Sequence, residues 1–179
     1  MSSLEQFKID LTALTAEETP LEYVLDDRFF TALDDTEIKS GSLHVSGSIR
    51  KASGFYELHL YTTGTVSVPC DRCLDMMEQP IEADLNVTVK LGTGAQDSGS
   101  VDDDIVWVDE RDGRLDTAWP IYESIALAVP ILHVHQPGDC NVLMSEKLNE
   151  LSAARSSEAD AQHDGEPRWQ ALAKLKEKM

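Results

Sequence analysis

The sequence predicts an α+β fold: an antiparallel β-sheet, curled or barrel-like, with one main helix and a mobile C-terminal tail. Three observations predict it. Ile81, Ala83, Leu85, Val87, Val89 and Leu91 alternate strictly with polar residues, the two-residue period of a half-buried strand. Strand-like segments precede this run with short connections, the pattern of an antiparallel meander. Ile121, Tyr122 and Ile125, followed by Ala128 or Val129, recur at helical spacing.

The elements follow in order. Residues 21–25 read as a strand, and Asp26-Asp27-Arg28-Phe29-Phe30 as a short helix or turn capped by Asp26 or Asp27. Residues 43–49 alternate as a second strand, and Ser53-Gly54 supplies a turn. Residues 55–68, β-branched and aromatic, form a long strand with Gly64 as a candidate bulge. Residues 92–104 are rich in Gly, Ser and Asp and read as a mobile acidic loop. Asp102, Asp103 and Asp104 are solvated there, because a calcium loop needs alternate ligand spacing and a closing Glu. Residues 105–108 make a further strand. A helix is expected over 118–128, with Thr117 as N-cap, Pro120 in its first turn, Glu123 facing solvent and Val129-Pro130 ending it.

Composition turns to Ser, Ala, Glu, Asp and Gln over 149–166, where disorder or a frayed helix is expected. Pro167 then suits a helix start, and Trp169 and Leu172 form an apolar stripe among lysines. So short a helix is unstable alone, so it folds back on its own domain or docks on a partner. The division expected is an α+β domain over 1–148 and a linker with an amphipathic segment over 149–179.

The chain has 179 residues, 41% of them hydrophobic, enough for one cored domain. No stretch has the apolar length of a membrane span, and Met1-Ser2-Ser3-Leu4-Glu5-Gln6 lacks the basic and apolar runs of a secretory signal. An odd cysteine count fits a reducing cytoplasm. The net charge is −18, which repels phosphates and anionic lipid and favours a basic partner. Solubility alone is the plainer explanation. The charge is uneven. Arg168, Lys174, Lys176 and Lys178 against Glu166 and Glu177 give residues 166–179 a charge of +2, leaving −20 on the rest.

Two of the three cysteines stand as Cys70-Asp71-Arg72-Cys73, and the third, Cys140, follows His133-Val134-His135. A Cys-x-x-Cys pair can present two thiolates to one metal ion, and His135 and Cys140 would complete a Cys3His set. A structural zinc is the expected cofactor, competing with a metal-free buried pair and with a redox dithiol. A thioredoxin-like dithiol opens a helix after a strand. Here strand-like sequence lies on both sides, which places the cysteines at a hairpin tip and argues against redox use. His133 reads as an ordinary strand residue. The chain has no nucleophile elbow, no phosphate-binding Gly loop and no His-Glu-x-x-His. A closed zinc site has no open coordination position. The expectation is therefore no enzymatic activity and no small-molecule substrate. Direct RNA binding is the competing mode, through Arg50, Lys51, Arg72, Arg168 and the C-terminal lysines, with Tyr56, Tyr61 and Trp169 free to stack or simply packed.

Three blocks resemble the YceD family, named for accumulation of large-subunit ribosomal RNA. They are Cys70-Asp71-Arg72-Cys73-Leu74; Glu123-Ser124-Ile125-Ala126-Leu127-Ala128-Val129-Pro130, running on to His135 and Cys140; and Pro167-Arg168-Trp169-Gln170-Ala171-Leu172. The resemblance implies a factor supporting large-subunit biogenesis and ribosomal RNA accumulation. Its implied partners are a basic ribosomal protein, large-subunit ribosomal RNA or a precursor of that RNA. A zinc-stabilised module with a non-ribosomal partner is the alternative. The chain departs from many members in having one downstream cysteine and two histidines in place of a second Cys-x-x-Cys. The candidate metal ligands are Cys70, Cys73, His135 and Cys140. The candidate partner-binding residues are Arg72, Arg168, Trp169 and Leu172.

Overall fold

The alternation read at 81–91 is realised as one stretch of a long strand whose odd positions face a core. The computed structural model describes residues 4–33, 36–92 and 105–152. The loop expected at 92–104, beyond Gly92, and the segment carrying Arg168, Trp169 and Leu172 lie outside them. The chain divides into two units, Met1–Val134 and His135–Met179.

In the first unit the elements are β1 (Lys8–Asp10), β2 (Glu18–Leu25), α1 (Asp27–Ala32), β3 (Ser40–Ala52), β4 (Phe55–Pro69), β5 (Met76–Leu91), β6 (Ile105–Val108), β7 (Arg114–Asp116) and α2 (Ala118–Ala128). Five strands form one sheet in the order β2-β3-β4-β5-β6, and β1 pairs with β7 in a separate ladder. β3 to β5 are the expected antiparallel meander, and β2 adds antiparallel beside β3. β6 corrects the expectation: it runs parallel to β5, so the sheet is mixed. A parallel pair needs a crossover of a dozen or more residues, and residues 92–104 supply that length. The sheet is also open, with β2 and β6 at its edges, rather than closed into the expected barrel-like form.

Residues on the inner face alternate with solvent-facing ones, as the pleat requires. Val45 and Ile49 of β3, Leu58 and Leu60 of β4, and Ile81 and Val89 of β5 are buried. Ile121, Tyr122 and Ile125 of α2 and Phe29 and Phe30 of α1 are buried in the same core. Phe7, Tyr23, Phe29, Phe30 and Tyr122 form a chain of tilted and edge-on ring contacts, 4.9 to 6.5 Å between centroids. Phe7, Phe29 and Phe30, the rings almost fully buried, each contribute about 1.5–3 kcal/mol.

Gly64 is not a bulge. Pairing runs unbroken from Leu43 through Gly64 to Ile81. Its φ of +150°, and the 2.2 Å that would separate an added Cβ from the Ser42 carbonyl oxygen, explain the glycine. Asp26 caps α1, accepting from the Arg28 N–H at 2.9 Å. Thr117 does not cap α2. Its buried hydroxyl donates to the Phe7 carbonyl at 2.8 Å, and Asp116 Oδ1 accepts from Ala118 N–H instead. The helix thus borrows its cap from one residue earlier while Thr117 ties it to the N-terminal segment.

In the second unit the described residues include α3 (Val142–Leu151). Its N-cap is Asn141, whose side chain accepts from Met144 N–H. With α1 and α2 this makes three α-helices among the described residues. None of the α3 residues is buried, so no inward apolar stripe announced it.

Candidate metal centre

Strand β4 ends at Pro69, which pairs with Met76 of β5, so Cys70 to Asp75 are the hairpin tip expected from the sequence. The tip is closed by its own backbone: Cys70 N–H donates to the Asp75 carbonyl and Leu74 N–H to the Cys70 carbonyl, both at 2.9 Å. Leu74 takes the turn's left-handed position at φ +64°, at a cost of about 1 kcal/mol for a residue with a Cβ. Arg72 N–H points at Cys70 Sγ, 3.4 Å away.

A second set of contacts fixes the tip from outside. Asp71 N–H donates to the His133 carbonyl at 3.0 Å, and His133 N–H donates to Asp71 Oδ2 at 2.7 Å. His133 Nδ1 also lies 3.0 Å from the Pro130 carbonyl oxygen and 3.5 Å from Asp71 Oδ2. A carbonyl only accepts, so this contact assigns the proton to Nδ1. His133 is therefore a latch for the tip, in place of the ordinary strand residue it reads as. Nothing in the Cys-x-x-Cys spacing signals this role, because the two partners are 62 residues apart.

None of the three cysteines is in a disulfide. Cys70 and Cys73 are almost fully buried. Cys140 Sγ lies 4.0 Å from His135 Nδ1. The candidate ligand atoms of Cys70, Cys73, His135 and Cys140 all lie within 4.8 Å of one another, the one such Cys/His/Asp/Glu group among the described residues. In a tetrahedral site with Zn–S and Zn–N bonds of about 2.3 and 2.1 Å, neighbouring ligand atoms sit about 3.4–3.8 Å apart. Closing the group around an ion needs an inward adjustment of at most about 1.4 Å per pair. Three sulfurs and one imidazole nitrogen are a soft donor set of the right number for such a metal. The set fits a metal ion, and His133 stands outside it.

The other sequence candidates fare differently. Arg72 is exposed at the tip between the two cysteines. Arg50 is ion-paired with Glu57, and that hydrogen bond, reinforced by charge attraction, raises its pKa. Lys51 lies over the Tyr56 ring, 5.8 Å from its centroid. Tyr56 itself is buried and donates its hydroxyl to the Leu11 carbonyl, which removes it as a stacking platform. Tyr61 is 40% exposed.

Fold and site together define a small mixed α+β protein whose distinguishing chemistry is one Cys3His group at a latched hairpin tip. The family model described as "Large ribosomal RNA subunit accumulation protein YceD" matches residues 58–176. The chain belongs to the YceD family. The matched span begins within β4 and takes in the hairpin tip, α2, His135, Cys140 and α3. No curated protein and no solved structure matches the chain.

Proposed function

We propose that this protein is a non-enzymatic factor in biogenesis of the large ribosomal subunit, acting in the cytoplasm by binding a basic ribosomal component. Family membership supports the ribosomal role. The observation that carries the mode of action is the charge of −18. A strongly acidic surface attracts the lysine- and arginine-rich chains of ribosomal proteins, speeds their encounter and repels RNA phosphates. Such a surface shields a basic protein from premature RNA contact and yields it to the more highly charged RNA during assembly. A structural zinc held by Cys70, Cys73, His135 and Cys140 gives the hairpin tip its rigidity and, with four protein ligands, leaves no position for substrate.

The RNA-binding alternative is weakened by the pairing of Arg50 with Glu57 and the burial of Tyr56. The experiment is depletion of the protein from its own cells, followed by the ratio of large- to small-subunit ribosomal RNA. The expected result is a fall in that ratio, restored by the wild-type chain. An unchanged ratio, with normal subunit profiles, rejects the ribosomal role.

A further inference from the structure

The outer face of the sheet carries a second pattern. Helices α1 and α2 bury their apolar side chains in the core on the opposite face, and the outward residues of β2 to β5 are exposed or half-buried. Two banks of carboxylates run along this face: Glu18 and Glu22 on β2, and Glu78, Glu82 and Asp84 on β5. Between them lies a trough of short hydroxyl side chains such as Ser46 and Thr63. One cross-strand row shows the plan: Glu22 pairs with Ser46, Ser46 with Tyr61, and Tyr61 with Asp84. Three interstrand spacings put the banks roughly 14 Å apart, wider than the 10–12 Å of one helix or the width of one extended chain. The two outward cations of these strands are engaged, Arg50 with Glu57 and Lys90 over the Trp107 ring at 5.7 Å.

We infer that this uncovered sheet face is the docking surface for a single lysine- or arginine-rich polypeptide segment, seated in the trough between the two carboxylate banks. This rests on the proposed binding of a basic ribosomal component and names the surface that does it. Charge complementarity selects the occupant. Both banks repel a phosphate backbone, whereas alternate basic side chains of one segment reach both. Tyr61, exposed between the banks and directly beside Asp84, offers its ring to a cation and its edge to a lysine stem.

The test uses the full chain and total protein stripped from purified large ribosomal subunits as probe. The face variant is Glu22→Lys with Glu82→Lys and Asp84→Lys. The control, Glu37→Lys with Glu110→Lys and Asp112→Lys, changes net charge equally at exposed positions outside the two banks. Each variant's circular dichroism and melting are compared with wild type. The face variant is expected to bind at least about tenfold more weakly and the control within about threefold of wild type. Equal losses in both, or no loss in either, overturn the face while leaving the proposed partner class intact. Failure of the wild-type chain to bind any of the protein fraction, or binding solely to added ribosomal RNA, overturns the partner class as well. Should the face variant not fold, backbone amide shifts of the wild type decide, with a lysine-rich decapeptide as probe. Shifts centred on Ser46 and Tyr61 support the surface, and shifts spread evenly over acidic positions reject it.

Discussion

Asp71 and His133 separate what holds the hairpin tip from what binds metal. Asp71 makes one backbone and one side-chain hydrogen bond with His133, so Asp71→Ala is expected to destabilise the fold by about 1 kcal/mol, read by urea unfolding. Cys70→Ser removes a thiolate and the acceptor of the Arg72 N–H. With the proposed zinc in place, it is expected to weaken metal binding more than about tenfold, the lower range for a disturbed outer-shell partner, and to lower the melting temperature. His133→Ala is expected to keep metal stoichiometry while losing latch stability. Plasma mass spectrometry on the purified variants distinguishes them, and loss of metal from His133→Ala at a level equal to Cys70→Ser contradicts the ligand assignment. The clustering of Cys70, Cys73, His135 and Cys140 was legible from residue type and spacing. The latch was not, because it depends on where the chain after α2 passes the tip.

Among the elements, Gly64 is the most sensitive position argued for. Gly64→Ala places a Cβ against the Ser42 carbonyl in a backbone conformation that side chains avoid, with an expected loss of about 2–3 kcal/mol in chemical denaturation. At the start of α2, Asp116→Ala is expected to cost about 1 kcal/mol as a lost cap. Thr117→Val removes one of two donors to the Phe7 carbonyl, which keeps the Thr117 N–H at 3.0 Å, and is expected to cost about 0.5–1.5 kcal/mol. No loss of stability from either substitution contradicts these roles. Strands with two-residue alternation, such as β5, and the α2 stripe were legible because burial imposes their period. β6 was legible as a strand but not in direction, because the four residues Ile105–Val108 carry no signal of which way they pair. The short β1–β7 ladder carries too few residues for a period. α3 has no buried face to impose one, and its Asn141 cap was the remaining signal.

For the whole molecule, charge is the property that the binding account rests on. Association with a basic partner is expected to weaken steadily as salt rises, because rim charges are screened over about 10 Å at 0.1 M ionic strength; affinity unchanged by salt contradicts an electrostatic mode. Among the described residues no helix is long and apolar enough to cross a membrane. The most direct measurement of the central claim mixes the purified chain with large-subunit ribosomal protein in one sample and with protein-free large-subunit ribosomal RNA in another, and follows each by size-exclusion chromatography. The account predicts that the chain co-elutes with a basic protein and separates from naked RNA. Co-elution with the RNA, and none with the protein, contradicts it.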